Sequence, residues 1–128
     1  MLGVVVSGYV LAESMRPDAR LEGLPLTLTK IERYAVGNAT PDQPPVWTTV
    51  VFEFPEEASE RVANALAEVL DEHGGWYSNF NVDGMTFVIY AHRIFRYPSG
   101  DSAGRVEAVV YGRSVGVPDA QLDWDEYE

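Results

Sequence analysis

His92 and Arg93 are adjacent residues whose side chains are well suited to chemistry. An imidazole exchanges protons near neutral pH, and a guanidinium binds anionic groups. Tyr90 precedes them by two positions, so a pocket beside this segment could hold a small molecule. The plainer interpretation is a histidine exposed on a turn. We therefore predict no catalytic residue and keep the pocket near Tyr90, His92 and Arg93 as an alternative.

Metal and nucleophile chemistry have little support in the residue pattern. The chain has two histidines and no cysteine. These histidines cannot fill a three-ligand zinc site alone, so neither a metal nor a cofactor is predicted. The run 112–116 matches the letters G-x-S-x-G. However, Ser114 falls at the end of a predicted helix rather than between a strand and a helix, and both histidines precede it.

Aromatic residues give a stronger indication of binding. Trp76 and Tyr77 begin one predicted strand and Tyr90 ends another, with Arg93 close by. If helices leave one face of this sheet uncovered, those side chains would be exposed. Tryptophan, tyrosine and arginine dominate the energetics of protein interfaces. We therefore predict a protein-binding surface containing Trp76, Tyr77, Tyr90, His92 and Arg93; the alternative is that the aromatic residues fill the core.

The charge balance limits the class of partner. Twenty acidic residues against nine basic ones give a net charge of −11. Such a surface repels phosphate backbones and anionic membranes, so we predict neither a nucleic-acid nor a membrane partner. It favours solubility and a basic protein partner, or self-association. Mimicry of nucleic acid by carboxylates is a third interpretation. A chain without cysteine could fold in a reducing cytoplasm, where we predict it acts.

The periodicity of apolar residues predicts strands and helices in alternation. The strands are expected at 3–12, 24–36, 46–54, 76–82, 85–90 and 93–97. A phase slip near Lys30 predicts a bulge in the second strand. Apolar residues on both faces of 46–54 predict a central strand. Asp83-Gly84 predicts a hairpin, whereas a single long strand from 85 to 97 is the alternative to a turn at Ala91-His92.

Two helices complete the predicted elements. The first opens at Pro55-Glu56-Glu57 and ends at Gly74-Gly75, with one apolar stripe formed by Ala58, Val62, Leu66, Val69 and Leu70. The second runs from about Ala103 to Val115. We expect Ala103, Val106, Val110 and Val117 to face inward there, and Gly116 to cap this helix.

The order of elements predicts an α+β fold in a single domain, 1–128. We expect an antiparallel meander, with a ferredoxin-like sandwich as the nearest architecture, and two helices packed on one face. Its parts would be an N-terminal strand pair (1–36), a proline-rich loop (37–45) and a β-α-β-β-(β)-α body (46–124).

The second half also resembles a group of small bacterial proteins of the actinobacterial type. The resemblance spans 46–124 and is most specific in the string Y-G-R-S-V-G-V-P-D-A-Q-L-D-W over 111–124. It implies a bacterial source and an intact domain, and it suggests that Gln121-Leu122-Asp123-Trp124 closes the fold. It carries over no activity. A non-enzymatic protein-interaction module is therefore the leading functional hypothesis.

Overall fold

The structure is a computed structural model that describes residues 3–127. Its elements form two three-stranded antiparallel sheets and two helices, as expected for an α+β fold. The strands are β1 (Val5–Leu11), β2 (Thr27–Ala35), β3 (Val46–Pro55), β4 (Ser78–Val82), β5 (Met85–Tyr90) and β6 (Arg93–Pro98). The helices are α1 (Ser59–Val69) and α2 (Ser102–Ser114). Short 3₁₀ turns lie at Ala12–Ser14, Glu56–Ala58 and Asp119–Gln121.

β3 is the centre of the first sheet, which confirms the prediction from its two apolar faces. β1 and β2 both pair with β3, giving the order β1-β3-β2. The expected N-terminal strand pair is therefore wrong, and the first sheet is not a meander. The proline-rich loop leads from β2 back to β3, and the register shift between Leu28 and Lys30 confirms the bulge.

The second sheet is a meander of β4, β5 and β6. Asp83 and Gly84 both have positive φ angles, 49° and 73°, which confirms the hairpin turn. A second tight turn at Ala91-His92 separates β5 from β6, with His92 at φ 62°. The alternative of one long strand is therefore wrong.

The apolar stripe of α1 is confirmed, because all five of its predicted side chains are buried. They pack against β1, β3 and one face of β5 in the larger hydrophobic core. The helix ends at Val69 rather than at Gly74-Gly75. Leu70 is already extended and forms a bridge with Met15, so tertiary pairing ends the helix before the glycines.

α2 packs on the opposite face of the second sheet, so the expected placement of both helices on one face is wrong. Phe87 and Ile89 of β5 contact the core that contains α1, whereas Val88 and Tyr90 contact the core that contains α2. Residues alternate between the faces of a strand, so the two cores lie on opposite sides of β5. The ferredoxin-like likeness stays a prediction.

The most buried positions of α2 are small residues, beside the partly buried Val109 and Tyr111. Val117 is buried, as expected. Val106 and Val110 are 58% and 55% exposed, and Ala103 is exposed as well, which contradicts their expected burial. Ala108 is fully buried instead, with Gly104 and Gly112 one turn away on either side. A side chain at either glycine would collide with a tyrosine of the second sheet. The close approach of helix to sheet therefore selects the small residues.

The C-terminal segment closes the fold, as the resemblance suggested. Gln121, Leu122 and Trp124 are buried, and the Trp124 indole donates a hydrogen bond to Tyr97 Oη at 2.7 Å. Gly116, at φ 94°, caps α2 as predicted and directs the chain into this segment. The single-domain assignment stays a prediction. Neither helix in the described range has the length and apolar character needed to cross a bilayer.

Candidate functional site

A cleft of about 510 Å³ lies on the outer face of the first sheet. Its floor is the side of β3 that carries Trp47, Thr49 and Val51. The other side of β3 packs Phe52 and Phe54 into the core. Side chains alternate between the two faces of a strand. Because Phe52 and Phe54 point into the core, Trp47, Thr49 and Val51 point into the cleft.

Aromatic side chains from four parts of the chain converge here, and we call the opening the aromatic cleft. Tyr9 comes from β1, Tyr34 from β2 and Trp47 from β3, while Trp76 and Tyr77 precede β4. The rings of Trp47 and Trp76 meet edge to face with centroids 5.3 Å apart. The C-terminal segment forms the remaining wall.

The polar ends of four of these aromatic side chains are already hydrogen-bonded. Tyr9 Oη donates to the Asn79 side chain at 3.0 Å, and Tyr77 Oη donates to a backbone carbonyl. Trp47 Nε1 donates to a backbone carbonyl at 2.8 Å, and Tyr34 Oη lies 2.8 Å from a threonine hydroxyl. These hydrogen bonds hold the rings in place.

Burial raises the pKa values of two of the phenols. It raises the pKa of Tyr9 well above the usual value, with neighbouring tyrosines and carboxylates adding to the effect. Burial, followed by the nearby Asp123 carboxylate, likewise raises the pKa of Tyr77. Both phenols therefore stay protonated at neutral pH, so neither is a candidate base.

The charge in the aromatic cleft is negative. Asp123 lines it, and no lysine or arginine does so among the residues that the structure describes. An adjoining depression of about 540 Å³ shares Tyr9, Tyr77 and Asp123 with the cleft and extends to Asp125. Aromatic faces beside a carboxylate attract cations, since a ring quadrupole and a negative charge act together. The arrangement suits an extended ligand with positive groups.

A smaller cleft of about 370 Å³ lies beside His92, and we call it the histidine cleft. Trp76, Tyr90 and His73 also line it. His92 Nε2 is 3.0 Å from Glu72 Oε1, and both side chains are more than half exposed. His92 is thus on a turn with a cleft next to it, which keeps the small-molecule alternative open.

The side chains of Tyr90 and Arg93 pack against other residues of the protein and are not free to bind a ligand. Tyr90 is 1% exposed, and its hydroxyl donates to Ala108 O at 2.7 Å. The Arg93 guanidinium lies over the rings of Phe95 and Tyr111, at 4.8 and 5.1 Å from their centroids. Arg93 lines neither cleft.

Four of the five predicted binding residues line a cleft, and Arg93 lines neither. Trp76 and Tyr77 line the aromatic cleft, while Trp76, Tyr90 and His92 line the histidine cleft. The predicted aromatic surface on the second sheet is wrong, because helices cover both of its faces. The exposed aromatic face belongs to the first sheet.

Sequence reasoning missed Tyr9, Tyr34, Trp47 and Asp123 as site residues. The shared face of Trp47, Thr49 and Val51 was visible in the alternation of β3. Tyr9 and Tyr34 join that face only through the pairing of β1 and β2 with β3. The local signal could have identified Trp47, but the pairing was needed to collect its partners.

Within residues 3–127, no three histidine, aspartate or glutamate side chains lie close enough together to hold a metal ion. No protein-family model, curated protein or solved structure matches this chain. The geometry and charge of the two clefts are therefore the basis for inferring function.

Proposed function

We propose that this chain is a non-enzymatic protein-interaction module whose aromatic cleft binds an extended, basic segment of a partner protein. One observation carries the proposal: five aromatic side chains converge beside Asp123 in a cleft that no described lysine or arginine lines. Charge complementarity therefore favours arginine or lysine side chains in the ligand.

The length of the groove favours a peptide over a compact ligand. The aromatic cleft and the depression beyond it share four residues along β1 and the C-terminal segment, namely Ser7, Tyr9, Tyr77 and Asp123. Asp125 lines the far end. An extended chain with positive groups a few residues apart could contact the aromatic rings at one end and this carboxylate at the other.

The overall charge supports the same class of partner. A net charge of −11 steers basic proteins toward this surface and repels nucleic acid and anionic lipid. Since the chain has no cysteine to oxidise, we propose the cytoplasm as the setting.

Calorimetric titration with a capped Gly-Arg-Gly-Arg-Gly peptide tests this function. We expect measurable binding that weakens with added salt, and much weaker binding of the same peptide with neutral citrulline in place of arginine. Trp47→Leu should weaken binding roughly three- to thirty-fold, the range expected for one cation–π contact. Circular dichroism would verify that the variant is folded.

A matched pair of charge variants tests whether the arginine peptide binds at the aromatic cleft. Asp123→Asn removes the carboxylate at the cleft and should weaken arginine-peptide binding, whereas Asp18→Asn makes the same charge change outside the cleft. Equal affinity for the arginine and citrulline peptides, or equal effects of the two variants, would refute the proposal.

The histidine cleft supports the alternative of small-molecule binding, which stays a prediction. The observation in its favour is the pairing of His92 with Glu72 beside an aromatic wall. A thermal-shift screen against metabolites should then give a stabilising compound whose effect is lost in His92→Ala. Compounds that stabilise both proteins equally would argue against this cleft as the binding site.

A further inference from the structure

β2 is a nine-residue edge strand with every residue exposed. It pairs with β3 on one side, and no strand in the described part of the chain pairs with its other side. Leu28 and Ile31 are 57% and 59% exposed. A free edge of this kind presents unpaired backbone N–H and C=O groups, which are a template for another strand.

The charges on this edge are self-complementary. Lys30 and Glu32 lie on the same face of β2, with Lys30 Nζ 3.9 Å from Glu32 Oε1, and Ile31 lies between them in sequence. An antiparallel second copy related by a two-fold axis at Ile31 places each Lys30 opposite the partner copy's Glu32. Opposite charges directly across two strands stabilise the pairing.

We propose that two copies of this chain associate through their β2 edges, with the two-fold axis at Ile31. On two antiparallel strands, residues directly opposite each other point to the same face of the sheet. A two-fold axis perpendicular to the sheet must therefore pass between one residue and the same residue of the second copy. An axis at Lys30, Glu32 or Arg33 would set like charges against each other. Among residues 30–33, an axis at Ile31 is the one that gives two attractive Lys30–Glu32 pairs with an apolar residue at the centre.

The proposed interface is short, so the dimer is expected to be weak. The bulge between Leu28 and Lys30 interrupts the regular strand immediately before the paired residues. Such a bulge limits further pairing along an edge. We therefore expect a reversible dimer that depends on protein concentration, and its formation is tested without any ligand of the aromatic cleft.

Charge reversal gives a sharp test by sedimentation velocity over a range of concentrations. Lys30→Glu places two glutamates opposite each other and Glu32→Lys places two lysines opposite each other. Each should weaken the dimer roughly ten-fold, the order expected for two cross-strand pairs. The double variant Lys30→Glu/Glu32→Lys should associate like the original chain, and an equimolar mixture of the two single variants should form heterodimers.

This design separates local pairing from bulk charge repulsion. Lys30→Glu makes the acidic chain more negative and Glu32→Lys makes it less negative, so bulk repulsion would shift their affinities in opposite directions. Arg20→Glu, exposed and outside β2, matches the charge change of Lys30→Glu and should change association little. Ile31→Lys should abolish the dimer.

Three results would overturn the inference. One is a wild-type chain that remains monomeric up to about 1 mM, where a contact of even weak affinity would be seen. The second is a dimer that Ile31→Lys leaves intact. The third is a double charge-swap variant that fails to recover association while circular dichroism shows that it is folded.

Discussion

Gln43 and Gln121 exchange two hydrogen bonds through their side-chain amides in a buried contact. Gln43 Nε2 donates to Gln121 Oε1 at 3.2 Å, and Gln121 Nε2 donates to Gln43 Oε1 at 2.9 Å. Gln43 also donates to Gly74 O, and Gln121 to Asn38 O. The pair therefore ties the proline-rich loop, the segment before β4 and the C-terminal segment together beside the aromatic cleft.

Breaking this pair should destabilise the protein. Gln43→Ala leaves the buried Gln121 Oε1 without its hydrogen-bond donor, although Gln121 Nε2 still donates to Asn38 O. The free energy of unfolding should therefore fall by about 1–3 kcal/mol. Urea unfolding followed by circular dichroism measures the loss. Asp42→Ala, an exposed neighbour, is the control. Additive losses in Gln43→Ala, Gln121→Ala and the double variant would contradict a direct coupling.

Gly112 should not tolerate a side chain. An alanine Cβ there would lie 2.6 Å from Tyr90 Oη and 2.8 Å from Leu122 Cδ2, closer than atoms pack. Overpacking of this kind costs about 1–3 kcal/mol, so Gly112→Ala should lower the free energy of unfolding by that amount. Gly37→Ala meets no atom within 4 Å and serves as the control. Equal stability of the two variants would argue against the close packing of α2.

Stability should fall at alkaline pH because of buried tyrosines. Burial, with the Glu126 carboxylate adding to it, raises the pKa of Tyr97 to about 12. Burial also raises the pKa values of Tyr9, Tyr77 and Tyr90. In the unfolded chain tyrosine titrates near pH 10. Above that pH the unfolded chain releases protons that the folded chain retains, so folding is progressively disfavoured as the pH rises.

Unfolding titrations at about pH 9 and about pH 11 check the sign of this effect. The free energy of unfolding should be lower at the higher pH, and phenolate absorption should show tyrosines that ionise only as the protein unfolds. Tyr97→Phe should reduce the dependence on pH. A free energy of unfolding that stays constant over this range would contradict the burial of these phenols.

Local patterns were sufficient for most of the elements. The alternation of Val50, Phe52 and Phe54 predicted β3, and the helical spacing of Val62 and Leu66 predicted α1; both sets of residues pack in the core. These predictions held because strand and helix periods are short and the burial of one face selects for them. The failures concern contacts between elements. Val106 and Val110 of α2 were expected to face inward but are exposed. The tyrosines of the second sheet approach the helix most closely at Gly104 and Gly112, where a side chain would collide.

The site was less accessible to sequence reasoning than the fold. Trp76 and Tyr77 were identified as binding residues and do line the aromatic cleft, while Tyr90 fills the core. Tyr9 and Tyr34 were not identified, because a lone tyrosine in a strand carries no sign of the strand beside it.

By itself, the sequence determined the strands, the helices, the turns and the acidic charge, since these depend on neighbours a few positions apart. Tertiary structure alone decided that β3 lies between β1 and β2, that the helices take opposite faces of the second sheet, and that the first sheet keeps its aromatic face open. The physical reason is that periodicity states which side chains share a face, whereas burial depends on what covers that face, and the covering segments are distant in the chain.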